Sequence, residues 1–238
     1  SLMIAPPLGT SLMESQGFVP LFIVAASAAA LSLAIALPIA EPQADRSPPP
    51  KGGFLRVVRR RGVWVPSVAA GVVALTYGSV ITFLPLFAAR RGIKGVGFFF
   101  TAYALAIIGV QALAGRLSDR VGRRMVAVPA MICMGLAFFA LAHARSTPWL
   151  VAVAVAYGLS FGGARTTLDA SIADSVPPAL RGTAMGIDYA SFDLGIGLGS
   201  LLLGLVAEAQ GYGNMYSLVG GICLAGAAAL FVLTARPK

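Results

Sequence analysis

The sequence predicts an all-α membrane protein, a polytopic bundle of transmembrane helices, and three observations carry that prediction. Of its 238 residues 58% are hydrophobic and only 11% charged, with a mean hydropathy of +0.84, whereas a soluble domain is about 25% charged. The apolar residues gather into about eight stretches near the ~20 residues that a helix needs to cross a bilayer. The basic residues sit in short runs between those stretches, where they act as orientation signals.

Read in order, residues 1–13 look like the second half of a helix, closed by the polar turn Glu14-Ser15-Gln16-Gly17. No cleavable leader precedes them, and the chain opens inside membrane-like sequence, so earlier helices of the same protein are expected. Residues 18–40 form an apolar run of 23 residues, about 34 Å as a helix and long enough to span. Residues 41–62 then read as a polar linker. Pro48-Pro49-Pro50 and Gly52-Gly53 break structure there, and a basic segment with Arg56, Arg59, Arg60 and Arg61 suggests a short amphipathic helix on the membrane surface. Six further spans follow at 63–89, 96–115, 126–143, 148–173, 182–207 and 212–234.

Alternating these spans across the bilayer puts thirteen Lys and Arg residues on the side of the linker. Only Arg90, Arg91, Lys94 and Arg145 fall on the other side. The positive-inside bias therefore places the linker and the C-terminus in the cytoplasm, with the plasma (inner) membrane as the location. The Arg90-Arg91-Lys94 cluster runs against that bias. The net charge of +9 and pI near 10.3 then describe topology, and nucleic-acid binding is set aside.

Nothing in the sequence supports a cofactor, a metal or an enzyme. There is no GxxxxGK[ST] phosphate loop. Gly195, Gly197 and Gly199 lack the strand and spacing of a dinucleotide loop, and read as helix-packing residues. Gly195 with Gly199, Gly158 with Gly162, and Gly182 with Gly186 each form GxxxG. His143 has no second histidine with which to build a metal site. Cys133 and Cys223, with no ligand spacing around them, read as small buried apolar residues.

Between the second and third spans after the linker stands Gly115-Arg116-Leu117-Ser118-Asp119-Arg120-Val121-Gly122-Arg123-Arg124. Glycines permit a tight turn between closely packed helices, and Asp119 can accept from arginines or from the free amides of a helix N-terminus. The segment resembles the G-x-x-x-D-R-x-G-R-R/K loop of the major facilitator superfamily. Further similarities cover essentially the whole chain. Thr76-Tyr77-Gly78 through Phe83-Leu84-Pro85-Leu86 looks like the seventh helix of that family. Pro177 through Ala184, with Arg181 and Gly182, looks like its P-x-x-x-R-G-x-A loop between helices ten and eleven. Ala5-Pro6-Pro7-Leu8-Gly9 is similar to the kink in the fifth helix of proton-coupled antiporters, with Ala5 where glycine is usual.

The resemblance implies an MFS-type helix bundle. Residues 1–40 would be the last two helices of an N-terminal half, 41–62 the inter-domain linker, and 63–238 the C-terminal six-helix domain. The remaining N-terminal helices are an expected partner. The loop around Asp119 would act as a cytoplasmic gate, and the first and fourth helices of this half would line a central cavity.

Ionisable side chains inside a membrane are costly and mark pathways. Arg165 and Asp169 stand four apart in one span, share a face and could pair. Asp188 and Asp193 in the next span point about 140° apart, so they cannot both face one cavity. Asp193 shares a stripe with Gly186, Gly197 and Gly204, where a neighbouring helix could approach. Arg165, Asp169 and Tyr77 are the leading substrate-side candidates, with Asp188 and Asp193 as further proton sites. Tyr103, Tyr157 and Tyr189 could contact substrate or simply pack. The function expected is alternating-access transport of a small solute within the lipid bilayer, as proton-coupled efflux of a drug, sugar or metabolite. Its rivals are uptake of a sugar or organic anion at Arg165, and a non-transporting receptor or scaffold.

Overall fold

The computed structural model describes residues 18–38 and 53–235. The expected half-helix over 1–13, its Ala5-Pro6-Pro7-Leu8-Gly9 segment, most of the linker, and the tail with Arg236 and Lys238 lie outside the described residues. The chain divides into two units at Pro49 and Pro50. In the first, helix α1 (Phe18–Ala36) ends four residues short of the expected span. Pro38 is the reason, because a proline disfavours helical geometry in the residue before it.

The second unit begins with the short helix α2 (Gly53–Val58). Val57 is buried with Val63, Ile172, Val176, Leu180 and Ala184 in a small apolar cluster, while Phe54 and Arg56 are exposed. Four helices follow: α3 (Arg61–Arg90), α4 (Val96–Val121), α5 (Arg123–Ala142) and α6 (Thr147–Asp174). Each runs at least as far as the apolar stretch that predicted it or stops within a residue of it, because helix continues past the hydrocarbon into the polar ends. A 3₁₀ turn (Pro178–Leu180) leads into α7 (Arg181–Ala235).

α7 is 55 residues long but is not one straight helix. Gly211 has φ 82 and ψ 161, a conformation that only glycine adopts at little cost. The packing shows that the chain reverses there. Against α3, residues 71, 78 and 83 meet 195, 196 and 204 in the first arm, a parallel run. Arg90, Phe87 and Val72 meet Tyr212, Tyr216 and Gly226 in the second arm, an antiparallel run. The arms 181–210 and 212–235 therefore flank α3, and α3 to α7 cross the unit as six apolar segments.

Five helices among the described residues are long and apolar enough to cross a membrane, α7 counted once. Large apolar side chains such as Phe98, Ile108, Leu113, Leu136, Leu201 and Phe231 are exposed along them, which suits lipid as the solvent.

Close backbone approach at glycines sets the packing. A Cβ on Gly158 would stand 2.6 Å from the Tyr103 carbonyl oxygen, and one on Gly162 would stand 2.6 Å from Val110. A Cβ on Gly195 would overlap the Gly71 carbonyl. Two of the three GxxxG pairs therefore seat α6 on α4 and the first arm of α7 on α3. The third does not: Gly182, Gly186 and also Gly197 meet nothing within 4 Å among the described residues. The stripe expected to pack beside Asp193 is open, except at Gly204, which faces Phe83.

Between these helices lies an aromatic core with few hydroxyls. The Thr76 hydroxyl lies 3.1 Å from that of Tyr157, and Tyr103 stacks on Tyr157 at 4.9 Å. Tyr103 and Tyr157 are thus packing residues. Cys223 is buried and its thiol donates to the Met131 carbonyl, but Cys133 is exposed, contrary to the expectation that both are buried. An apolar residue on a lipid-facing side of a helix has the same sequence signature as a core one.

Candidate functional site: two arginine-centred ion clusters

The first cluster lies at the end of the unit where α4 gives way to α5. The turn is made by Gly122 alone, with φ 98. Gly115, expected to help form it, sits inside α4 and faces Thr166 on α6 at 3.9 Å. Asp119 does not cap α5, whose N-terminus has no side-chain cap. It pairs instead with Arg123, four residues on, at 2.5 Å.

Arg123 is the hub. Its Nε donates to Asp174 Oδ2 at 3.0 Å and its Nη1 to Ser118 Oγ at 2.6 Å. One guanidinium thus ties the end of α4, the start of α5 and the end of α6. Arg124 lies over the Phe231 ring at 3.8 Å, joining the second arm of α7 to the same end. Arg120 and Arg181 are exposed and form no ion pair among the described residues, and Gly182 packs on nothing. Asp174 was missed in the sequence. The signal available was its place in the last turn of α6, which ends on the same side as α4.

The second cluster is inside the apolar spans. Arg165 and Asp169 pair across one turn of α6, Nη2 to Oδ1 at 3.1 Å, and the same nitrogen stands 2.7 Å from Asp188 Oδ2 on α7. The contacts are ionic rather than aligned: Arg165 Nη1 and both oxygens of Asp188 are buried without a hydrogen-bond partner among the described residues. The Arg165 guanidinium also lies 4.5 Å from the centre of the Phe192 ring and 5.3 Å from that of Tyr189. Tyr77 joins from α3, 5.6 Å from Phe161 and 6.4 Å from Phe192.

Arg165, Asp169 and Asp188 thus come together, with Tyr77 one ring removed against Phe192, while Asp193 is exposed on another side of the same arm. Phe161 and Phe192 complete the surroundings and were not singled out in the sequence, where a phenylalanine in an apolar span carries no distinguishing mark. At the opposite end, Arg91 donates to the Ala144 carbonyl at 2.6 Å just past α5, and Arg90 lies over Tyr212 at 4.9 Å. A cation at a helix C-terminus is favourable, so these arginines have local work that the orientation rule does not consider.

Crossing helices of this length, with charge sealed among them, define a multi-pass membrane protein. The sequence matches the Major Facilitator Superfamily over residues 92–238, more than half of the chain, and the chain belongs to that superfamily. It is 26% identical over 225 residues to the uncharacterized MFS-type transporter YhhS of Salmonella paratyphi C, covering 93% of this chain and 54% of that protein. It is 27% identical over 239 residues to the uncharacterized MFS-type transporter STM4428 of Salmonella typhimurium, covering 98% and 59%. A multi-drug resistance efflux pump PmrA homolog of Lactococcus lactis is 30% identical over 169 residues, covering 68% and 42%. The chain spans about half the length of the curated relatives it matches.

Proposed function

We propose that this chain is the C-terminal six-helix half, with the last two helices of the N-terminal half, of a secondary transporter that exports a small solute in exchange for protons. The observation that carries the reading is the Arg165–Asp169–Asp188 cluster, contributed by two apolar helices and bordered by rings from α3, α6 and α7. Charged groups are kept inside a membrane where they pair with one another and serve a pathway. Carboxylates that share one cation can take up and release a proton as the halves rock around the site. The printed name of the Lactococcus relative, an efflux pump homolog, supports the outward direction. The excess of Lys and Arg on the linker side supports a cytoplasmic linker and C-terminus. On that face Arg123 would hold helix ends together in one state of the cycle.

The test is solute accumulation by the full-length transporter in proteoliposomes under an imposed pH gradient, with Asp169→Asn, Asp188→Asn and Asp193→Asn made singly. Loss of gradient-driven accumulation in the first two is expected. If all three neutral variants still concentrate solute, proton coupling through these residues is wrong.

A second reading, uptake of an organic anion, is favoured by the buried and unpartnered Nη1 of Arg165, since a guanidinium binds carboxylates well. Arg165→Lys, which keeps the charge but loses the two-pronged geometry, would weaken anion binding selectively if that reading holds. Equal effects on anionic and neutral solutes would remove it.

A further inference from the structure

At the end of the unit away from Arg123, two turns are stitched together. Arg91, just after α3, donates to the Ala144 carbonyl at 2.6 Å, and the Thr147 hydroxyl at the start of α6 donates to the Lys94 carbonyl at 2.7 Å. The turn between α3 and α4 is thereby fixed beside the turn between α5 and α6. Each carries an exposed cation, Lys94 in one and Arg145 in the other, and neither has an acidic partner among the described residues. Glu208, near this end of the first arm of α7, pairs with neither. Arg90 and Arg91 differ, since they lie over the Tyr212 and Phe87 rings at 4.9 and 4.5 Å.

From this seam a groove of about 610 Å³ runs between α4 and α6, lined by Phe98, Ala102, Leu105, Pro148, Val151 and Ala152. Two threonines also line it, and both spend their hydroxyls on backbone: Thr101 on the Gly97 carbonyl at 3.2 Å, Thr147 on that of Lys94. The wall therefore offers hydrocarbon and no free side-chain hydrogen-bonding group. From Phe98 to Leu105 it extends about 10 Å along the helix. Trp149 marks its depth in the membrane, being 49% exposed with its indole N–H donating to the Ala140 carbonyl at 2.9 Å. Such rings settle at the level of the lipid headgroups. Arg145 precedes that level along the chain, and Val151 and Ala152 follow it.

We propose that this groove is a site for one anionic phospholipid in the leaflet away from the Arg123 cluster, with an acyl chain between α4 and α6 and the phosphate against Lys94 and Arg145. Charge selects the occupant. A zwitterionic lipid brings its own cation and leaves the two basic residues uncompensated, whereas an anionic one supplies the acid that they lack. Guanidinium and ammonium groups both bind phosphate well. The site also gives Lys94 work at the end of the molecule where the orientation bias disfavours a cation. It stands on the groove and its mouth alone, and does not depend on the transport reading.

The experiment titrates the full-length protein in detergent with phosphatidylglycerol, with phosphatidylcholine of the same chains, or with soluble glycerol phosphate, and mass spectrometry of the intact complex reads the lipid retained. Phosphatidylglycerol is expected to be held in preference to phosphatidylcholine and to survive excess glycerol phosphate. Lys94→Gln and Arg145→Gln should each weaken its retention about fivefold, the gain that one cation brings near an anionic surface. Ala152→Phe fills the groove without touching either cation and should remove one bound phosphatidylglycerol, whereas Leu136→Phe, at an exposed position on α5, should remove none. Equal retention of the two lipids, or undiminished retention in the double variant Lys94→Gln/Arg145→Gln, overturns the headgroup assignment. Displacement by glycerol phosphate, or undiminished retention in Ala152→Phe, overturns the part given to the acyl chain. If no lipid is held, another part of the protein covers the groove and the proposal falls. Lys94 and Arg145 are exposed turn residues, so their variants decide the matter even if Ala152→Phe fails to fold.

Discussion

The protein holds two clusters of the same make-up in opposite surroundings. In each, one arginine stands between an aspartate four residues away on a continuous or adjoining helix and a second aspartate from another element: Arg123 with Asp119 and Asp174, Arg165 with Asp169 and Asp188. The outer aspartates are 60% and 59% exposed, the inner ones 31% and 0%. Water screens and rehydrates the first cluster, so its members can separate and rejoin at little cost. The second has no such alternative, because a lone charge among apolar helices must find a partner or be neutralised. The same three side chains make a reversible clasp in one place and a fixed charge site in the other.

The largest effect expected from this difference is on Arg165→Ala, which strands Asp188 where nothing else can pair with it. Losing one partner of a buried pair costs about 3–5 kcal/mol, whereas Arg123→Ala should cost about 1 kcal/mol or less, as exposed pairs do. Thermal unfolding of the two variants in detergent micelles measures both, and equal losses would break the comparison. Next in size are the helix seats that fix the buried cluster. Gly158→Leu and Gly195→Leu push side chains into the backbones of α4 and α3 and should cost about 1–3 kcal/mol. Gly186→Leu, with open space around it, should leave the unfolding temperature nearly unchanged. The smallest effect is that of salt. Raising ionic strength from about 0.01 to 1 M shortens the screening length from about 30 to 3 Å. Amide hydrogen exchange around Gly122 should therefore quicken, while exchange around Arg165 stays constant. Quickening at both would mean that the inner cluster is wetter than its burial says.

Much of this arrangement could be read from the residues, and the limits are physical. Arg165 and Asp169 pair because helical spacing puts i and i+4 on one face, a local rule that needs no tertiary knowledge. The reach of Asp188 to the same guanidinium depends on how the first arm of α7 is rotated against α6, and periodicity in an apolar helix does not give that rotation. It does give the separation of Asp188 from Asp193, and one is buried and the other exposed as their angular offset requires. The glycine motifs divided for the same reason. Gly158, Gly162, Gly195 and Gly199 find backbones, while Gly182 and Gly186 have the same spacing and no neighbour. In the loop, the turn fell to Gly122 alone, and Arg123 found its second partner 51 positions away at Asp174.

Asp188 also bears on how such a chain is made. It lies in the segment synthesised directly after the one that holds Arg165, with only a short turn between them. On insertion scales, an uncompensated Asp or Arg at mid-bilayer opposes entry by about 2.5–3.5 kcal/mol each. Leaving the translocon as a hairpin lets the two neutralise each other before either meets lipid alone. The nascent polypeptide then needs no later segment to shelter its most buried acid, and the order of residues along the messenger is also an order of safe assembly.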